Sequence, residues 1–177
     1  INPIEIIDQS NKVTSLGPGG ISSTQSVTNA QRLVHPSHLG IIDPIRTAES
    51  EKAGIDLRLI STAGIDKHGT LYAPLINKTT GKTEYFHPGE TKNLFVAFEN
   101  PTGKKELEVL HKNQMERLST SKVTHYIPSS SSIYGDSTNL LPLLGTMQGN
   151  RAIMGSKQVS QALPLKNPET PWVQNLN

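Results

Sequence analysis

Asn150-Arg151-Ala152-Ile153-Met154-Gly155-Ser156-Lys157-Gln158-Val159-Ser160-Gln161-Ala162-Leu163-Pro164 is the stretch on which the reading of the whole chain turns. Its apolar residues Ile153, Met154 and Ala162 are interleaved with long polar side chains, a pattern that predicts a helix. Arg151 and Lys157 are cations, and Asn150, Gln158 and Gln161 carry amides that donate and accept at once. A run of cations and carboxamides without a carboxylate suits the oxygens of a polyanion. The competing reading of the same residues is an amphipathic packing helix whose polar side chains are merely solvated.

Composition narrows the setting. A chain of 177 residues accommodates one ordinary domain or two small ones. Only 34% of its residues are apolar and 5% aromatic, while 14 glycines and 12 prolines break it often. Such a chain is expected to borrow burial from partners rather than to form a self-contained domain. The formal charge of +2 is too mild to predict nucleic-acid binding from bulk electrostatics, so any such contact has to come from local placement. The absence of cysteine excludes disulfides and thiolate metal sites and fits a reducing, cytoplasmic setting. No apolar run approaches the roughly 20 residues of a membrane span, so no membrane partner is expected. The first residue is Ile1 rather than Met, as expected of an excised fragment or a processed chain.

Upstream of the helix, an apolar run at Ile4–Ile7 and a polar cluster at 8–12 lead through Val13 to the loop Gly17-Pro18-Gly19-Gly20, in which three residues are free to take positive φ. That loop lacks the Gly-Lys-Ser/Thr ending of a phosphate-binding P-loop. Residues 21–31 read as an exposed polar loop. His35 and His38 have a spacing found in metal sites, but no third ligand stands near them, and they read as hydrogen-bonded histidines with no metal. Pro36 and Pro44 fix an irregular path through this segment.

Strand-like composition at 57–61, 71–76, 83–86 and 94–98 alternates with turn chemistry at 66–69, 79–82 and 87–89. The charge-rich residues 104–117 read as surface, in a strand pair or a short helix. His111 and His125 read as ordinary polar residues. The serines at 129–132 lack the elbow pattern that a nucleophile needs, and no catalytic residue is expected. Asp136 or Ser137 is expected to cap a helix running through Leu140, Leu141, Leu143 and Leu144, with Pro142 in its first turn.

Three motifs in fixed order carry a resemblance. Leu-Gly-Pro-Gly-Gly at 16–20, His-Pro-Ser-His-x-Gly at 35–40 and Pro-Ile-x-Thr-x-Glu at 44–49 resemble the fork region of the β subunit of multisubunit DNA-directed RNA polymerases. Lys12 to Leu16 resembles the end of the segment that lines the rifamycin pocket of the bacterial enzymes. Leu140-Leu141-Pro142-Leu143-Leu144 and Asn150 to Pro164 are similar to the family's Leu-Ile-Pro-Phe-Leu and to its Asn-Arg-Ala-Leu-Met-Gly helix ending in Gln-Ala-Val-Pro. Departures are concentrated in the fork. The family's Cys-Pro-Ile-Glu-Thr-Pro-Glu-Gly reads Asp43-Pro44-Ile45-Arg46-Thr47-Ala48-Glu49-Ser50 here, which reverses a charge at Arg46. The basic residues usually following the glycine loop are Ser22-Ser23-Thr24-Gln25, and the acidic pair before Asn-Arg is Met147-Gln148.

The resemblance implies an α+β fold with an irregular fork-like region at 1–55, a small, mostly antiparallel external domain at 56–126 and the start of a helical hybrid-binding region at 127–177. By this resemblance Arg151 holds the triphosphate of the incoming nucleotide. The chemistry agrees, because a planar guanidinium grips two phosphate oxygens and neutralises charge on the leaving pyrophosphate. Gln161, Lys157 and Asn150 are expected to contact RNA or the RNA–DNA hybrid, and Gly17, Pro18, Gly19, Gly20 and Glu49 to form the fork loop. The implied partners are a β′-like catalytic subunit, the remainder of β, template DNA, the hybrid and nucleoside triphosphates. The implied cofactor is Mg²⁺ held by an Asp-x-Asp-x-Asp loop of the β′-like subunit, so this chain alone is expected to be inactive. So diverged a fork resembles the split polymerases of large bacteriophages, acting in the host cytoplasm. The alternative is a non-catalytic structural or interaction module of a phage transcription complex.

Overall fold

A computed structural model describes residues 2–48 and 50–168. It shows the expected α+β architecture as two compact units. The described residues of 1–33, 42–59 and 134–177 make the first unit, and those of 34–41 and 60–133 the second.

The first unit opens with a helix that the sequence reading took only as an apolar run. Helix α1 (Pro3–Ser10) starts where Asn2 Oδ1 accepts the Ile4 N–H at 2.9 Å, with Pro3 in the first turn, where its missing donor costs nothing. Strand β1 (Lys12–Thr14) pairs antiparallel with β2 (Asp56–Arg58), Val13 opposite Leu57. The strand expected at 57–61 is therefore shorter and displaced by one residue. Helix α2 (Pro44–Thr47) is capped by Asp43, whose Oδ1 accepts the Ile45 N–H at 2.8 Å.

Helix α3 (Asp136–Asn139) corrects the expected leucine helix. Gly135, not Asp136 or Ser137, occupies the cap position, and its N–H donates to Asp43 Oδ2 at 2.9 Å. The helix stops at Asn139 because Pro142 cannot continue it, and Leu143 takes a left-handed φ of 53°. The leucines thus leave the helical path, and Leu141 and Leu144 turn inward. With Ala152 they form a small apolar cluster flanked by Ile45, Tyr134, Met147 and Val159. Helix α4 (Gly149–Gln161) is the helix predicted from the opening stretch.

Beside that cluster lies a buried polar one. Asp8 Oδ2 accepts from Arg46 Nη2 at 3.1 Å and from Arg58 Nε at 3.0 Å, and the Ser137 hydroxyl donates to Asp8 Oδ1 at 3.3 Å. Arg46 Nη1 donates to Ser137 Oγ at 3.1 Å and to the Ser156 carbonyl of α4 at 3.4 Å. The Asp8 carboxylate thereby ties α1 to α2, β2 and α3, and Arg46 extends the network to α4. Asp43, fully buried, also accepts the Thr138 hydroxyl at 2.6 Å.

The second unit is a seven-stranded sheet. Strands β3 (Gly64–Ile65), β4 (Leu71–Asn77), β5 (Thr83–Phe86), β6 (Val96–Ala97), β7 (Glu106–His111), β8 (Gln114–Ser119) and β9 (His125–Tyr126) run in the order β3-β4-β9-β6-β7-β8, with β5 also on β4. Every pairing is antiparallel except β6 with β9. The expected strand at 94–98 shrinks to Val96–Ala97. The 104–117 segment is a strand pair, turned through Lys112 and Asn113, both at positive φ as a tight two-residue hairpin requires. It is not wholly surface. Leu107 and Val109 alternate with exposed glutamates and are buried with Ala97 and Val123.

Two histidines read as ordinary have structural partners. His125 is buried, its Nε2 3.2 Å from Glu84 Oε2 and its ring edge-on to Phe86. His111 stacks on Phe95 with ring centroids 3.8 Å apart.

Candidate nucleic-acid and nucleotide interface

The geometry of α4 follows from its residue order. At about 100° per residue, Lys157, Asn150, Gln161, Met154, Gln158 and Arg151 share one arc roughly 120° wide, and Ala152, Ser156 and Ser160 lie on the opposite side. The structure has this arrangement. Ala152, Ser156 and Ser160 are buried, Asn150, Arg151, Gln158 and Gln161 are exposed, and Lys157 is half-buried. The buried hydroxyls need no outside partner, since Ser156 donates to the Ile153 carbonyl and Ser160 to the Lys157 carbonyl, each at 2.9 Å. Small residues on this face bring α4 close to its neighbours. A Cβ added at Gly155 would meet Leu141 Cδ2 at 2.9 Å.

The C-terminal end of α4 is held by the residue that starts α1. Asn2 Nδ2 donates to the Val159 carbonyl at 2.9 Å and to the Ala162 carbonyl at 2.8 Å, satisfying acceptors that a helix end leaves open. Gln161 is thus fixed in position while its side chain stays exposed. Arg151 sits at the opposite end, its only described side-chain contact a weak one from Nη1 to Met154 Sδ at 3.6 Å.

Lys157, Ser160 and Gln161 also line a cleft of about 250 Å³. Lys12, Lys52, Arg46 and Arg58 line it too, against the carboxylates of Glu5 and Asp56. Lys12 and Lys52 each place Nζ near Asp56 Oδ2, at 3.4 and 3.5 Å. Burial pushes the Asp56 carboxyl up, but the Thr14 hydroxyl at 2.5 Å and the ammonium groups of Lys12 and Lys52 together hold it below the usual carboxylate range. Cations therefore predominate next to the polar arc. Sequence reasoning missed Lys52 and the role of Lys12, since neither spacing nor composition ties them to a helix a hundred residues on.

The four predicted contact residues, Arg151, Asn150, Lys157 and Gln161, are brought together on one helix face. The glycine loop at 17–20, expected to be a fork loop, is not part of that face. Gly17 and Gly19 take φ of 122° and 81°, as glycine allows. The Gly17 N–H donates to the Ile21 carbonyl at 3.1 Å and the Gly20 N–H to the Gly17 carbonyl at 3.0 Å. Those amides are spent inside the loop rather than aimed at a phosphate. Glu49 lies outside the described residues. Arg46, expected to reverse a charge near the fork, is 4% exposed and paired with Asp8, so the reversal is an interior one. His35 accepts the Ser37 N–H at Nδ1 and caps a short turn. Burial, and then the neighbouring His35, hold His38 below the usual imidazole range.

A cleft whose lining holds more cations than carboxylates thus lies beside a helix face of cations and amides. Residues 1–65 match the family described as RNA polymerase Rpb2, domain 3. The chain is 30% identical over 98% of its length to the DNA-directed RNA polymerase subunit beta of Methylacidiphilum infernorum, covering 14% of that protein. It is 32% identical, again over 98% of its length, to the subunit beta of Mycoplasma capricolum (14% of it) and to the subunit beta N-terminal section of Tetradesmus obliquus (26% of it). Along nearly its whole length the chain is similar to the β subunits of DNA-directed RNA polymerases, and it spans between 14% and 26% of these relatives' own length.

Proposed function

We propose that this chain acts within a DNA-directed RNA polymerase, as the part of β that joins the fork to the start of the hybrid-binding region. In this reading 1–55 is the fork-like part, 56–126 the external domain and 127–177 the beginning of the hybrid-binding region. Arg151 holds the triphosphate of the incoming nucleotide, and Gln161, Lys157 and Asn150 contact the RNA backbone of the hybrid. The observation that carries this is the shared exposed arc of α4, with cations and amides but no carboxylate, next to the Lys12–Lys52–Lys157 cleft.

Arginine and lysine act there as fixed electrostatic groups. Guanidinium at the triphosphate and ammonium along the backbone are worth most where water is excluded by the assembled enzyme. The metal chemistry belongs to the β′-like partner. Mg²⁺ on its Asp-x-Asp-x-Asp loop would neutralise the phosphates and activate the RNA 3′ hydroxyl. Among the described residues no group of three or more His, Asp or Glu side chains is placed to hold such an ion. The divergence of the fork motif supports placement among large-phage polymerases acting in a bacterial cytoplasm. The relatives described above are bacterial and algal. No helix among the described residues is long and apolar enough to cross a membrane.

The test is what co-purifies with the chain from its native source, identified by mass spectrometry. A β′-like chain carrying the Asp-x-Asp-x-Asp loop is the expected companion. Recovery of the chain alone, folded and stable, would favour an independent interaction module instead.

A further inference from the structure

The second unit carries a polar and aromatic patch that the polymerase reading does not use. Tyr72 on β4 stands opposite Gly64 on β3, and Tyr85 on β5 stands opposite Pro74, two residues along β4 from Tyr72. Strand periodicity therefore puts Tyr72 and Tyr85 on one face as diagonal neighbours, with Asp66 and His87 on the same face at the ends of β3 and β5. The four side chains line an open cleft of about 390 Å³. The two rings meet edge to face, with centroids 5.7 Å apart and planes at 84°. Gly64 is what lets Tyr72 lie there, since a Cβ at 64 would come within 2.6 Å of the ring.

The polar side of the cleft sets the Asp66 carboxylate against the His87 ring. A carbonyl can only accept, so the 2.7 Å contact between His87 Nδ1 and the Leu71 carbonyl places the ring proton on Nδ1. In the neutral ring Nε2 is then a bare acceptor, and it sits 3.7 Å from Asp66 Oδ2. The other carboxylate oxygen is already engaged, accepting the N–H groups of His68 at 2.8 Å and Thr70 at 3.0 Å. The Thr70 N–H above all, with the His68 N–H and the adjacent His87 ring, holds the Asp66 carboxyl below the usual range against an opposing effect of burial. With the ring neutral, two acceptors at this separation call for a donor between them, and the adjoining aromatic faces favour a cationic one.

We propose that this face of β3, β4 and β5 binds an arginine side chain of a partner polypeptide, the guanidinium lying against Tyr85 and Tyr72 and donating to Asp66 Oδ2 and His87 Nε2. Arginine fits better than lysine. Its planar fork presents separate N–H groups to two acceptors and offers a flat face to an aromatic ring, which a point-like ammonium does not. Tyr85 is 64% exposed, and the cleft is open enough for a side chain to enter while its backbone remains outside. The site is independent of α4 and of the nucleotide-binding reading.

The full chain, titrated with the blocked tripeptide Gly-Arg-Gly and followed by NMR of the tyrosine and histidine rings, tests this. Saturable shifts confined to Tyr72, Tyr85 and His87 are expected. Asp66→Asn keeps the oxygen that accepts from His68 and Thr70, yet removes the charge, and should weaken binding roughly 10-fold. Tyr85→Ala should weaken it roughly 3-fold and Tyr85→Phe hardly at all. Peptides with norleucine in place of arginine should give no saturable shift, and a lysine peptide should bind more weakly. Absence of saturation, equal binding by Asp66→Asn, lysine or norleucine peptides as good as arginine, or cytidine binding more tightly than the arginine peptide would each overturn the proposal.

Discussion

The two units are held together by different physics. In the first, the buried side chains are largely polar: Asp8, Asp43, Arg46, Arg58, Ser137 and Thr138 interlock through directional bonds, and the apolar cluster at Leu141, Leu144 and Ala152 is small. In the second, the buried residues are almost all aliphatic, Leu107, Val109, Ala97 and Val123 on one cluster and Leu75, Val96 and Ile127 on another. A polar interior fixes register and direction and fails when one partner is removed; an apolar one fails by leaving a void. Two of the residues that depart from the family's fork pattern belong to the first kind. Asp43 and Arg46, each unlike the family residue at its place, both have buried partners, Asp43 with Gly135 and Thr138 and Arg46 with Asp8 and Ser137.

Removing one partner should separate the two regimes most clearly. Asp8→Ala would remove from the interior the carboxylate that Arg46 and Arg58 share, and a loss of about 3–5 kcal/mol is expected in chemical denaturation. Hydrogen exchange should accelerate first in α1, α2 and β2. Leu107→Ala probes the apolar unit. The expected cost there is about 2–4 kcal/mol, growing with the void left behind, and Leu107→Met should recover most of it. Methionine has no comparable power to rescue Asp8, and if it did, the contrast between the units would collapse.

Thr138→Ala is a milder test in the polar unit. Asp43 would keep the Ile45 and Gly135 N–H donors and lose a hydroxyl, so about 1–3 kcal/mol is expected, with Thr138→Ser retaining most of the stability. The smallest effect concerns acid. Since the Asp56 carboxyl is held below its unfolded value, its contribution is present above that value, near pH 4, and is lost as the pH falls through the folded one. Urea denaturation between pH 5 and pH 2 should show this loss in the native chain and less of it in Thr14→Val.

Legibility divides along the same line. Helix α4 was readable because its polar residues recur on one face, and β4 and β5 because turn residues bracket them on both sides. The turn at 17–20 was readable from its glycines. Helix α1 left a signal that went unused, Asn2 followed by Pro3 and then Glu5, a cap, a first-turn proline and an early acid. The leucines after α3 misled because a dense apolar run resembles a helix, whereas Pro142 and the left-handed Leu143 break the path. Nothing in the sequence marks Asp8 or Arg46 as buried. Their pairing depends on bringing together residues 38 positions apart, and local periodicity carries no such information. Strand β9 is equally silent, a two-residue strand whose parallel partner β6 lies far back in the chain.

Kinetics of Arg151→Ala in the assembled polymerase test the role of the α4 face most directly, because Arg151 is exposed and its loss should leave both interiors intact. A fall in kcat/KM for nucleotide equivalent to about 2–4 kcal/mol is expected, the scale of removing a charged donor from a transition state, with folding and assembly unchanged. An assembled Arg151→Ala enzyme with wild-type nucleotide KM and kcat would contradict the triphosphate role and leave α4 as a packing helix with a solvated polar face.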